Sequence, residues 1–558
     1  MLALVPCLSW ANPVGFKQAV DTAERLLGKA VGTNEQCAIK AQAKVTHRTK
    51  EKGRAFYIFN AADGQGFVIV SGEEEMPALV AYSPTGHFDD ERMPPALTDM
   101  LEQYVGMVEA VRSGQAHVAA KTSVTSGHAV VGPLCQAEWG QDFPYNAYCP
   151  QQEGENCPVG CVATAMAEIM HHFQWPKQGI GSYRYVCDLE GVGTISSNFG
   201  EHTYEWSQMG KTWEENVASV EVARRVAQLS YDCGIATRMA YALNGSGTND
   251  DLAMVALYTY FGYKASILDI KRRDCYATQR EWNEQVKMEL NSNRPVLYGG
   301  FDKKGGGHEF IIDGYDDQGN FHVNWGWDGI CNGYYSIITL APDDTDWAFS
   351  IGQSMVCGIE PDFLQQDKTP MQWRIYMAEE PSVNVEQIVL GKNFSFTFGN
   401  FYNYRRSAQT WTHGVALYTL EGEQMQLLTS RNNASYTNKY MPYYGAVGTK
   451  VSINIPKNIP NGYYTLRAVF RQNGYEDFIL PDMVGGSIRN NVYVKIENGM
   501  VLFNQVPTSI QPPKTNVEIL SHDYYDLSGR RIERPYTGIV IDHQTLSDGK
   551  KIVKKIRL

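Results

Sequence analysis

The hydrophobic pattern changes character several times along the chain. "AFYIFNAADGQGFVIVSG", Ala55 to Gly72, holds two β-rich runs around Asp63-Gly64 and predicts a hairpin. Leu97, Met100, Leu101, Tyr104, Met107, Val108 and Val111 then recur at helical spacing until Gly114 stops the run. "SGQAHVAAKTSVTSGHAVVG", Ser113 to Gly132, is small, polar and aperiodic, which predicts a flexible connector open to proteolysis. Val162, Met166, Ile169, Met170 and Phe173 mark one face of a helix opening near Cys161. "HEFIIDGY" and "FHVNWGW" flank Asp317-Gln318-Gly319-Asn320 and predict a second hairpin. Beyond Pro361 the helical patterns stop. "NFSFTFGNFYNY", "GVALYTL" and "NNVYVKIENGMVLF" alternate as strands do and predict a β-sandwich. The last piece, ending "GKKIVKKIRL", holds a few strands and a basic end, and no tandem repeat occurs.

Composition narrows the class. At 558 residues the chain exceeds one ordinary domain, and 43% hydrophobic with 12% aromatic residues describes a folded protein. A net charge of -12 argues against a nucleic-acid partner, because such proteins present a basic face. No apolar run is long enough for a transmembrane helix. "MLALVPCLSWANP" is a short apolar start without a basic flank, a truncated signal-peptide candidate. Eleven cysteines in so long a chain fall below disulfide-scaffold density, and no CxxC pair suggests zinc.

The chemistry starts at "NCPVGCVATAMAEIMHHF". Pro158 and Gly160 cannot extend the helix backwards, so Cys161 sits at its N-terminus, where the macrodipole is expected to lower a thiol pKa. On this stretch alone a core or disulfide-bonded cysteine stays open beside a nucleophile. His308 follows three glycines that would let a substrate backbone approach, and the predicted hairpin returns Asn324 and Trp325 toward it. Cys, His and Asn in this order suit nucleophilic acyl transfer: the imidazole takes the thiol proton and a third group orients it. By itself His308 could equally be a core residue, the Trp-rich turn plain packing, and Gln141 in "WGQDFPYN" a surface-loop amide. His171-His172 lacks a third metal ligand in register, and "DGYDDQGN" reads as a hairpin turn rather than a calcium loop.

Together "GCVATAMAEIMHHFQWP", "GGGHEFIIDGYDDQGNFHVNWGWDG", "WGQDFPYN" and "GFVIVSG" with "YSPTGHF" resemble the streptopain family of secreted cysteine peptidases. The resemblance covers about residues 60 to 365. It implies an α+β, papain-like fold made as a zymogen, without a cofactor, acting on protein or peptide substrates and inhibited by its own pro-domain. By motif, Cys161 becomes the nucleophile, His308 the base and acid, and Gln141 the side-chain oxyanion donor. Asn324 and Trp325 would support the imidazole. Gly307 and the loop with Gly245, Ser246 and Gly247 would bind substrate backbone, with a hydrophobic residue preferred two positions before the scissile bond. Cys157 and the region after 365 depart from the pattern. The C-terminal end resembles type IX secretion sorting domains, with a plain basic hairpin as the alternative.

The expected organisation is a truncated signal peptide at 1–11, an inhibitory pro-domain at 12–121 and a papain-like domain at 122–362. An Ig-like sandwich at 363–505 and a sorting or anchoring tail at 506–558 follow. Maturation is expected within Ala119 to Val130, near Lys121, and the protein at the cell surface or outside. Two rivals stand beside the secreted endopeptidase. One is a Cys–His acyltransferase or amidase; the other is an adhesin with an inert site whose sandwich binds a host or matrix ligand.

Overall fold

The hairpin forms as expected in the computed structural model, which describes residues 12–32, 54–115, 127–276, 278–301, 307–336, 353–369, 371–403, 409–436, 449–485 and 488–506, and the strands between 519 and 557. The apolar start at 1–11, the connector residues 116–126 with Lys121, and Gly305-Gly306 lie outside the described residues. Helix α1 (Phe16–Leu27) buries Ala19, Ala23 and Leu26 against the hairpin of β1 (Phe56–Asn60) and β2 (Phe67–Ser71). Gly64 takes a positive φ at the turn, as the Asp-Gly pair requires. Strand β3 (Leu79–Ser83) pairs with β2.

Helix α2 (Pro95–Arg112) starts with proline in its first turn, where no backbone donor is lost. Its face of Leu97, Met100, Leu101, Tyr104 and Val108 is buried, as the spacing predicts. The connector is not structureless throughout. Ala129–Val131 forms a short strand, β4, whose Val131 pairs with Tyr315. Three residues are too few to show an alternation, so the pattern could not reveal it.

Helix α3 (Cys161–Phe173) is buried on every side from Val162 to His171, not on one face alone. Ala163, Ala165 and Ala167 let neighbours approach where polar residues would otherwise sit. Helices α4 (Val220–Ala236) and α5 (Asp250–Phe261) pack around it.

The remaining strands of the main sheet are β5 (Asp269–Arg272), β6 (Val296–Phe301), β7 (Gly307–Asp316), β8 (Phe321–Asn324), β9 (Gly333–Tyr335) and β10 (Ser354–Cys357). Helix α6 (Gln279–Asn291), opened by a Thr278–Glu281 capping box, runs between β5 and β6. The sheet has ten strands in the order β1-β2-β3-β9-β8-β7-β6-β10-β5, with β4 beside β7. It therefore runs unbroken from the N-terminal strands β1–β3 into the part that follows the connector. The joint is β3 on β9, with Tyr82 opposite Tyr334 and Ala81 opposite Tyr335. Period-two alternation splits the two faces. Leu297, Ile311 and Val356 pack on the α3 side, and Tyr298, Phe310, Ile312 and Met355 on the side of α2 and α6.

The region after 370 is all-β. Its main sheet has six strands, centred on Gly462–Gln472 paired with Gln409–Tyr418 and Val492–Glu497. Two three-stranded sheets pack against it, with Phe394 on Phe503 at 4.7 Å and Phe401 on Phe470 at 4.8 Å. It docks onto the preceding part near β5: Arg374 donates to both oxygens of Asp269 at 2.9 and 2.5 Å, and the Arg272 guanidinium lies 5.4 Å from the Tyr376 ring centre. The tail forms a separate four-stranded sheet.

Candidate active site

Cys161 is the first residue of α3, and the chain reaches it through Gly160 at φ +93°. A β-carbon there would meet the Met239 thioether at 2.7 Å and the Ser246 carbonyl at 2.9 Å, so only glycine fits the approach. Val159 N–H donates to the Gln141 carbonyl at 2.9 Å, and Thr164 Oγ1 to the Gly140 carbonyl at 3.4 Å. These bonds tie the Gln141 loop to the N-terminal end of α3. The 244–249 loop closes the other side. Ala240 and Gly247 exchange backbone hydrogen bonds, Gly245 has φ +137°, and the Ser246 hydroxyl accepts from Ala242 N–H at 3.4 Å. Gln141 and Ser246 thus meet the two residues that lead into Cys161, Val159 and Gly160.

His308 does not join them in this state. It lies on the β7 face shared with Phe310 and Ile312, toward α2, and its Nε2 stands 2.7 Å from the Asp99 carboxylate on that helix. Glu309, one residue on, faces the α3 side together with Ile311. Asp99 is a site residue that the sequence did not disclose. It sits among polar positions of α2 that look like ordinary solvated surface.

The Cys161 thiol is pushed up to about 11, first by burial and then by the Glu309 carboxyl; backbone N–H groups of Glu309, Val162 and Cys161 pull the other way. The expected lowering at the helix N-terminus is therefore overturned here. Withdrawing a thiolate from water costs more than those dipoles return. Burial, and then Asp250, also hold Glu309 well above the usual carboxylate range.

Asn324 and Trp325 sit behind the site rather than against His308. Asn324 Nδ2 donates to the Ala137 carbonyl at 2.8 Å and to Glu168 Oε1 at 3.0 Å, while its Oδ1 accepts from Gly326 N–H. Glu168 lies on α3 and also accepts from Trp139 N–H at 2.8 Å, so one carboxyl binds α3 to the Trp139 loop and to Asn324. Trp325 is 1% exposed, donates Nε1–H to the Cys331 carbonyl and packs on Phe310 at 4.9 Å. Gly307 starts β7 at its exposed end.

The weaker signals resolve into structure. His171 stacks edge-on against Trp139, and His172 Nδ1 lies 2.8 Å from the Leu134 carbonyl. Asp316 gathers the amides of Gln318 and Asn320 into the hairpin turn. Among the described residues no group of three His, Cys, Asp or Glu could hold a metal. Cys149 and Cys157 are free thiols, both buried.

Residues 139–335 match the Peptidase C10 family, and residues 11–108 match the Spi protease inhibitor. Streptopain of Streptococcus pyogenes is 30% identical over 391 residues, covering 63% of this chain and 95% of streptopain. The thiol protease/hemagglutinin PrtT of Porphyromonas gingivalis is 32% identical over 381 residues, 65% of this chain; this chain spans only 43% of PrtT. Among solved structures, prointerpain A of Prevotella intermedia is 30% identical with a TM-score of 0.47, covering 56% of this chain and 98% of that one. Active interpain A is 36% identical with a TM-score of 0.37, covering 41% and 95%. The chain belongs to the Peptidase C10 family, the cysteine proteases of streptopain type, and carries a Spi-type inhibitor segment ahead of its catalytic part.

Proposed function

We propose that this chain is the latent form of a cysteine endopeptidase, kept inactive because its N-terminal part withholds the general base. The observation that carries the reading is the 2.7 Å contact between His308 Nε2 and Asp99. Helix α2 shares a core with the β7 face bearing His308, and β3 extends the same sheet. Cutting the connector between Ala119 and Val130 frees that helix to leave.

In the active form His308 takes the Cys161 proton and the thiolate attacks the scissile carbonyl carbon. The Cys161 N–H and the Gln141 amide hold the oxyanion, each donor lowering the barrier by about 3 kcal/mol. As the intermediate collapses, the C–N bond breaks and His308 returns its proton to the departing amine. Water then attacks the thioester, again with His308 as base, releasing the acid and restoring the thiol. Asn324 and Trp325 act here by fixing β8, and Gly307 with the 244–249 loop binds the substrate backbone. Export to the outside of the cell belongs to the same reading, supported by the resemblance of the tail to sorting domains.

Casein hydrolysis under reductant tests the proposal. The wild type should gain activity after the N-terminal part is removed, and Cys161→Ala should show none. Equal hydrolysis by both would overturn it.

A further inference from the structure

Arg92, just ahead of α2, reaches across to the part after the connector and donates to Asp328 at 3.0 Å. The pair is lopsided: the Arg92 side chain is 61% exposed, that of Asp328 19%. An ion pair with one partner this exposed adds little to stability, so its place matters more than its strength. Asp328 follows Trp325-Gly326-Trp327 and holds φ +52°, a left-handed conformation that favours glycine. Its N–H donates to the Trp139 carbonyl at 3.0 Å. Its carboxylate lies on Gly140, where a β-carbon would collide with both oxygens. Oδ1 is buried without a hydrogen-bond partner among the described residues, and Asp142 and Glu214 add negative potential at the same group. Gly140 precedes Gln141 and accepts from the Thr164 hydroxyl, one turn along α3 from Cys161. None of these anchors involves His308, Asp99 or any residue ahead of the connector. Losing the N-terminal part removes Arg92 and leaves the seat of Asp328 in place.

The chain enters Cys161 between two flanks. Ser246, in the loop assigned above to the substrate backbone, meets Gly160 on one; Gln141 and Gly140 meet Val159 and Thr164 on the other. A substrate held before its scissile bond by the 244–249 loop therefore runs on past Gln141 toward Asp328. We infer that Asp328 is a specificity residue for the leaving side of the substrate, taking a lysine or arginine one or two positions after the scissile bond, and that Arg92 fills this place in the latent chain. The inference rests on the peptidase reading above and leaves the hydrophobic preference before the bond untouched. A guanidinium or ammonium replaces the charge that Arg92 vacates and gives Oδ1 a donor, in a charge-assisted hydrogen bond. A glutamate there would face Asp328, Asp142 and Glu214, all of its own sign.

The test uses the matured enzyme and quenched fluorogenic peptides with leucine two positions before the bond. They are identical except for arginine, alanine or glutamate at each of the two positions after it. At one position the wild type should cleave the arginine peptide with about three- to tenfold higher kcat/KM than the alanine peptide, and glutamate should be the poorest. Asp328→Gly, which suits the positive φ, should bring the arginine-to-alanine ratio close to one. The wild-type comparison needs no variant to fold. Equal or better cleavage of alanine at both positions overturns the inference and leaves the peptidase reading standing. An arginine preference that survives Asp328→Gly also overturns it. Failure of the wild type on every peptide and on casein overturns both.

Discussion

His308 and Asp99 are 209 residues apart in sequence, yet their side chains meet at 2.7 Å, both largely shielded from water. Hydrogen bonds to charged groups contribute about 1.5–3 kcal/mol, roughly a tenfold to hundredfold bias toward the withheld histidine. Asp99→Asn keeps the shape and removes the charge. The full-length variant should mature faster than wild type, shortening the lag in a self-processing time course.

Burial and Glu309 hold the Cys161 thiol at about 11, so at neutral pH it forms about a hundredfold less thiolate than at its ordinary value of 9.0. Iodoacetamide should therefore label Cys161 slowly in the full-length form. Labelling should rise at least tenfold once the N-terminal part has gone, followed by peptide mass mapping.

Glu168 Oε1 takes donors from Trp139 and Asn324 in a fully buried setting. Glu168→Gln keeps an acceptor oxygen and should be tolerated. Glu168→Leu strands both donors, at about 1–3 kcal/mol each, and should lower the urea midpoint clearly.

Gly160→Ala adds a β-carbon within 2.9 Å of a backbone carbonyl at positive φ. The change should cost roughly 1–3 kcal/mol of stability and shift Cys161 off its axis. Lower Tm together with reduced casein hydrolysis after maturation would match.

His202 Nδ1 lies 2.8 Å from Asp232, which also takes Ser197, Tyr204 and Gln228. That carboxylate raises the His202 pKa above 6.5, against the opposing effect of burial. A raised folded value means the contribution is fully present below 6.5 and lost as pH climbs through the raised value. Between about pH 6 and pH 8 the wild type should lose more Tm than His202→Gln does.

Local pattern exposed much of the fold. Helix α2, helix α3 and both hairpins follow from spacing and turn residues, and the loss of helical periodicity after Pro361 marks the all-β part. The order of Cys161, His308 and Asn324 pointed to acyl transfer, but the state of the site was hidden. Asp99 stands between Thr98 and Met100 with nothing to separate it from solvated polar positions. Its contact depends on how α2 docks, a tertiary fact that no local window contains. The thiol failed as a prediction for a related reason: the helix terminus is visible in sequence, whereas the burial that outweighs it is not. Glu309 left one trace, a charge inside the strand run "HEFIID".

The central claim is that Cys161 is the peptidase nucleophile of a chain that matures itself. Intact mass under reductant over time, for wild type beside Cys161→Ala, tests it most directly. Loss of about 120 N-terminal residues from the wild type alone is the predicted result. An unchanged wild type, or the same shortening in both proteins, would contradict it.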